Sequence, residues 1–353
     1  MSDFNYLTAR LGAMRSRLLP RKAYEELIAC PDVPSVLAYL LNGPYGPAIE
    51  SVGDAAADPA RIEEGLRRDL SATLVKLFRM SDGDPRESVA MLLSYWDAYN
   101  LKTILRGKQF LLSPEEIVRS LIPTGYYDEP ALWELAKQPS LRAVAELLLT
   151  WRTPHAAPLM EALRDYHEAR DLYLLELALD RFYFLQPGRS RSSGPFAQPL
   201  RDFFGFLIDK TNLLTALKMA EERTVLTERE RYFLDGGTRL SYTDFVRILD
   251  AGGAGGLTGA VASARSTRFG PVLAGLGEPP QGIGLLTLIE KRLERAVLQT
   301  AHRIRRADPL GIGSVLAFLW DKIHELMNLR MILRGRLVNL PEPVYQSLLT
   351  LEV

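Results

Sequence analysis

One nine-residue phrase occurs twice in this chain and a third time in looser form. "NLKTILRGK" covers Asn100 to Lys108, "NLRMILRGR" covers Asn328 to Arg336, and "NLLTALKMA" lies between them at Asn212 to Ala220. An acid precedes each phrase by three residues and a base follows its second spaced leucine. The frames read Asp97–Asn100–Leu101–Leu105–Arg106, Asp209–Asn212–Leu213–Leu217–Lys218 and Glu325–Asn328–Leu329–Leu333–Arg334. From Asn100 to Asn212 is 112 positions, and from Asn212 to Asn328 is 116. Self-similarity at a nearly fixed step constrains a fold more than any local propensity. It divides the 353 residues into three copies of one unit, 1–120, 121–235 and 236–353. Units this long exceed those of common solenoids, so three of them are expected to close on one another rather than extend as a rod.

Secondary landmarks keep the same step. Tyr45 of "YGP", His155 of "TPHAAP" and Phe269 of "FGP" stand 55, 57 and 59 residues ahead of their respective asparagines. Proline-marked breaks precede the repeated phrase at Pro85, Pro199 and Pro309, and proline suits a first helical turn, where its missing N–H is not needed. Asp84 and Asp308 stand directly before two of these prolines and read as N-caps.

Apolar residues recur at three and four, as in "ARIEEGLRRDLSATLVKLFRM" and "LLTLIEKRLERAVLQTAHRIR", which is the amphipathic helix signature. No run alternates like a strand, so the fold class is all-α. At 100° per residue, Leu101, Ile104 and Leu105 form one apolar stripe while Lys102 and Arg106 lie opposite. The second and third copies repeat this arrangement. Asp97 and Asn100, Asp209 and Asn212, and Glu325 and Asn328 are helical neighbours three apart at the stripe's edge. Half-buried groups of this kind usually satisfy other polar groups, so the acid, the amide and the leucine after it (Leu101, Leu213, Leu329) read as a structural tie. The recurring bases Arg106, Lys218 and Arg334 read either as solvated faces or as three positive groups turned toward a common partner.

Composition narrows the function. The chain has 43 basic and 43 acidic residues and no net charge, which argues against nucleic acid as the main partner, since phosphate binding needs a basic surplus. A single cysteine, Cys30, allows neither an internal disulfide nor a cysteine metal site. No apolar run reaches the length of a membrane span. The four histidines, His155, His167, His302 and His324, show no metal-ligand spacing. "DAGGAGGLTGA" at Asp250 to Ala260 lacks the ending of a phosphate loop and reads as a flexible loop. No cofactor and no catalytic residue is expected.

The three acid-x-x-Asn-Leu frames, "FLDGG" at Phe233 to Gly237 and above all "DPLGIGSVLAFLWDKIHELMNLRMILRG" at Asp308 to Gly335 resemble the C subunits of the archaeal and bacterial V/A-type rotary ATPases, relatives of the eukaryotic V-ATPase d subunit. The resemblance covers essentially the whole chain. It implies three similar helical domains in a pseudo-threefold funnel, acting as a non-catalytic rotor part. The funnel would receive the central shaft, made of the D and F subunits, and sit on the membrane ring of proteolipid subunits at its cytoplasmic face. On that reading Arg106, Lys218 and Arg334 are the candidate shaft-facing residues, and the corners at Tyr45 and Phe269 read as packed turns, with a ring-facing role as the alternative. The competing reading is a free-standing helical scaffold for another helical partner.

Overall fold

The structure is a computed structural model that describes residues 4–53, 58–169, 171–186, 197–223, 228–277, 279 and 283–350. The side chains of Asp84 and His167 lie outside this description. Every regular element among the described residues is helical. The helices are α1 (Phe4–Arg15), α2 (Arg21–Ala29), α3 (Val33–Leu41), α4 (Gly46–Glu50), α5 (Pro59–Met80), α6 (Gly83–Gln109), α7 (Pro114–Val118), α8 (Glu129–Lys137), α9 (Leu141–Thr150), α10 (Ala156–Ala169) and α11 (Leu172–Phe184). They continue with α12 (Ala197–Glu222), a 3-10 turn at Arg229–Tyr232, α13 (Tyr242–Arg265), α14 (Gly270–Leu273), α15 (Leu285–Ala307), α16 (Ile312–Leu337) and α17 (Glu342–Leu348).

Two compact units emerge. The first spans Leu70–Ser193, and the second joins Asp3–Asp69 to Gly194–Val353. In the first, α6 and α10 both pack against α11. Its core holds Leu92, Trp96, Leu101, Ile104, Leu148, Leu159 and Leu175, all buried. In the second, α12 packs on α13 and α15 on α16, while α1 and α3 lie against α16. Ile49, Phe203, Leu213, Phe245, Leu293, Leu316 and Leu333 fill that core.

Side chains close the helix ends as elementary chemistry requires. Asp32 accepts from Ser35 N at 2.9 Å ahead of α3. Ser113 with Glu116 and Ser241 with Asp244 form reciprocal capping boxes, each satisfying two backbone donors that the first turn leaves orphaned. The long helices of the repeat end alike. Leu111, Arg223 and Asn339 all take left-handed backbone, with φ of 57°, 52° and 52°. This is the conformation that closes a helix C-terminus.

Three local expectations are corrected. The N-cap of α6 is Asp82, whose carboxylate accepts from Gly83 N at 2.9 Å, so Asp84 falls inside the first turn. Asp308 caps from a distance: α16 begins at Ile312 after Gly311, and Asp308 Oδ2 reaches Gly313 N at 3.2 Å. The glycine-rich stretch at 250–260 is helical, broken at Gly256 (φ 60°, ψ −157°), a conformation open only to glycine. On the near side of the break Gly252 lets the backbone pass directly against Ala220 of α12.

Candidate functional site

The repeated asparagines are wholly internal. Asn100 and Asn212 have no exposure and Asn328 has 5%. Each amide ties down a main-chain segment 22 residues further along. Asn100 Nδ2 donates to Ile122 O at 2.7 Å and its Oδ1 accepts from Ile122 N at 2.8 Å. Asn212 does the same with Leu234, at 2.8 Å both ways, and Asn328 with Thr350, at 2.8 and 3.0 Å. An amide offers one donor and one acceptor side by side, which matches the N–H and C=O of one extended residue. That two-point fit explains why asparagine, and neither aspartate nor leucine, stands in all three frames.

The acids anchor the next turn of the same segments. Asp97 Oδ1 accepts from Tyr126 N at 2.8 Å and from Tyr127 N at 3.4 Å. Asp209 accepts from Thr238, Arg239 and Leu240 at 2.8–3.0 Å. Gly125 and Gly237 make room, since a Cβ at either position would run into the aspartate carboxylate. Burial pushes the Asp97 carboxyl up to about 7, against the opposing pull of the Tyr126 and Tyr127 amides. Burial also raises Asp209, opposed by its three backbone donors. In the third copy, Glu325 takes its backbone donor from the other end of the sequence, Leu19 N at 2.5 Å. Tyr126–Tyr127, Thr238–Leu240 and Leu19 each lie just ahead of a helix, α8, α13 and α2 respectively. The acid therefore plays one role in three places, and in the second unit it joins N-terminal to C-terminal chain.

The aromatic corners complete the clamps from within. Tyr45 (1% exposed) donates its hydroxyl proton to Glu325 Oε1. His155 (3% exposed) pairs with the Tyr127 hydroxyl at 2.9 Å, and burial lowers its pKa to about 4, so it is neutral at pH 7. Phe269 (fully buried) stacks on Phe206 with centroids 5.8 Å apart. Tyr45 and Phe269 are both core, in keeping with their reading as packed corners.

Each recurring base meets a carboxylate of another long helix. Arg106 Nε and Nη2 reach both oxygens of Glu176 at 2.5 Å. Lys218 pairs with Glu290 at 2.9 Å, and Arg334 with Glu63 at 2.7 and 2.9 Å. The basic side chains keep 55%, 51% and 67% of their exposure, so they remain surface groups. Glu63, Glu176 and Glu290 stand 113 and 114 residues apart. That spacing was a readable signal, masked by the abundance of glutamate on charged helices. The third copy holds a further cluster that no spacing announced. Lys322 Nζ lies 3.1 Å from Glu325, 2.8 Å from the Tyr45 hydroxyl and 2.8 Å from Asp69. No group of three or more histidines, cysteines or acids among the described residues could hold a metal ion.

Comparison with known proteins agrees in extent. The model of the ATP synthase (C/AC39) subunit family matches residues 7–346. The C subunit of the A-type ATP synthase of Methanocaldococcus jannaschii is 27% identical over 353 residues, covering 99% of this chain and 87% of that one. Its counterpart in Haloferax volcanii is 26% identical, covering 99% and 98%, and that of Halorubrum lacusprofundi is 28% identical, covering 95% and 94%. With a family model matching residues 7–346 and relatives similar over most of both chains, the chain belongs to the ATP synthase (C/AC39) subunit family.

Proposed function

We propose that this chain is the non-catalytic socket of a V/A-type rotary ATPase, coupling the central shaft, made of the D and F subunits, to the proteolipid ring on the cytoplasmic face of the membrane. Its family makes it a subunit of a rotary ATP synthase complex, and the match over residues 7–346 is the observation that carries the reading. The geometry supports the mechanical part. A torque-bearing piece must not yield internally, and here each motif helix is locked to the following segment by a buried amide, while a buried acid ties it to that same segment in the first two copies and to Leu19 in the third. Breaking one such tie strands buried donors and acceptors, at about 1–3 kcal/mol for each group. No helix among the described residues is long and apolar enough to cross a membrane, which fits a part held at the bilayer through its partners.

Arg106, Lys218 and Arg334 remain our candidates for the shaft-facing surface. All three bases are at least half-exposed, so an acidic patch on a partner can compete for them, most readily for Lys218 and Arg334, whose acids are not buried.

The test is affinity capture of the tagged chain from detergent-solubilised membranes of its host, with mass spectrometry of what is retained. Recovery of both shaft subunits and the proteolipid is the expected result. Recovery of neither, from membranes containing an intact rotary ATPase, refutes the socket and leaves a free-standing scaffold.

A further inference from the structure

The three clamps serve as internal controls for one another, and the first is incomplete. Three residues before each acid stand Ser94, Phe206 and Lys322. In the second copy Phe206 fills the space beside the acid, stacked on Phe269, with the Arg239 guanidinium 4.6 Å from its ring centroid. In the third copy Lys322 fills it. Its alkyl chain is buried, and its ammonium sits against Glu325 and 4.4 Å from the centroid of the Tyr45 ring. In the first copy Ser94 reaches only back to Met91 O, at 2.7 Å. Beside it opens a cavity of about 430 Å³, bordered by both Asp97 and His155.

The lining has a definite chemistry. Phe78, Met91, Tyr126 and Phe182 supply apolar and aromatic surface, and Asp97 and Glu87 are the charged groups. Among the described residues, two copies thus bring their own cation to the acid, while in the first the Arg86 guanidinium lies over the Phe78 ring, 4.2 Å from its centroid, and no lysine or arginine borders the cavity beside Asp97. We propose that this cavity is a binding site for a primary aliphatic ammonium, an alkyl chain about as long as a lysine side chain carrying one protonated amine. The amine would stand where Lys322 Nζ stands in the third copy, paired with Asp97 and facing the Tyr126 and Phe182 rings. Carboxylate pairing and ring faces are the two attractions such a cation uses. Burial of the Asp97 carboxyl gives a second handle: binding tightens as pH rises through about 7, because Asp97 ionises there while an alkylamine stays protonated.

The experiment titrates n-butylammonium and n-hexylammonium into the full chain, following backbone amide shifts at Tyr126, Tyr127 and His155, with 1-hexanol as the uncharged control. Saturable shifts with the amines are expected, with affinity for hexanol lower by about tenfold or more. Ser94→Lys, which rebuilds the third copy's arrangement, should abolish the response while leaving the protein folded. Asp97→Asn should weaken it, but that variant also disturbs a clamp, so Ser94→Lys is the deciding one. Absence of amine binding, equal binding of hexanol, or an unchanged response in Ser94→Lys would each overturn the proposal.

Discussion

Replacing Asn212 with alanine isolates what one buried amide contributes. In the native protein its two hydrogen bonds to Leu234 are 2.8 Å long and shielded from water, since Asn212 is fully buried and Leu234 is 2% exposed. Alanine removes both partners at once and leaves the Leu234 N–H and C=O buried and unpaired, at about 1–3 kcal/mol each. The truncation also opens a small void, which adds to the cost. Taking the lower half of each range gives a loss of about 3 kcal/mol. Because the chain has two compact units, a single unfolding midpoint is a poor measure, and native-state hydrogen exchange is the right one. The Leu234 amide should exchange roughly 100-fold faster or more, that being about 3 kcal/mol at 1.4 kcal/mol per decade. Amides around Ile122, held by the separate Asn100 clamp, should be nearly unchanged. Asn212→Asp is the companion variant: it keeps the acceptor for Leu234 N but turns a second acceptor toward Leu234 O, so it should be at least as damaging above the carboxylate pKa. A change in Leu234 exchange below about threefold in Asn212→Ala would refute the reasoning, because it would mean the segment after α12 is held by apolar packing alone.

The remaining predictions concern titration, sterics and the surface bases. His155 is held at about 4 against about 6.5 unfolded, so its contribution of about 3 kcal/mol is complete above pH 6.5 and lost as pH falls toward 4. Asp97, raised to about 7, works in the opposite sense, favouring the folded state at low pH and losing that contribution as pH climbs from 4 to 7. The two nearly cancel in the wild type. His155→Phe, which mimics Phe269 of the second clamp, should therefore show first-unit stability falling as pH rises from 4 to 7 in urea titrations, and a flat profile would refute the assignment. Gly125→Ala and Gly237→Ala should each cost about 2 kcal/mol or more by native-state hydrogen exchange in their own unit, since the added methyl meets a buried carboxylate. Lys218→Ala and Arg334→Ala should each cost under about 1 kcal/mol, as exposed pairs do, and Arg106→Ala should cost more, because it leaves the buried Glu176 carboxylate without its base. Measurably weaker binding to purified shaft subunits with stability retained would support the partner-facing role, and unchanged binding would argue against it.

Much of this molecule can be read from the residues in order. The helical period at three and four gave the fold class, because a helix that buries one face must repeat its apolar residues at that spacing. The step of 112 and 116 positions between asparagines marked the recurring clamp, because a tie that is used again needs the same residues again. The identity of the clamp residues, acid and amide three apart, was visible for the same reason. Their full burial was not. A helical wheel sees one helix and places Asn100 at an edge, whereas the segments carrying Ile122 and Tyr126 cover that edge and complete the core. Glu63, Glu176 and Glu290 kept the repeat step too, but a glutamate on a charged helix carries no sign of which base it will meet.

Contacts across long separations were decided by tertiary structure alone. Nothing local in "RSRLLP" says that Leu19 N will serve Glu325, 306 residues away, or that Tyr45 will close the same site from a separation of 280. The cavity beside Asp97 exists because Ser94 is small where Phe206 and Lys322 are large. The sequence sets those three residues at equivalent positions, and only packing shows that one of them leaves a space. Periodicity and spacing are properties of the chain and survive in one dimension. Burial, pairing and empty volume belong to surfaces brought together, and they come into being when the chain folds.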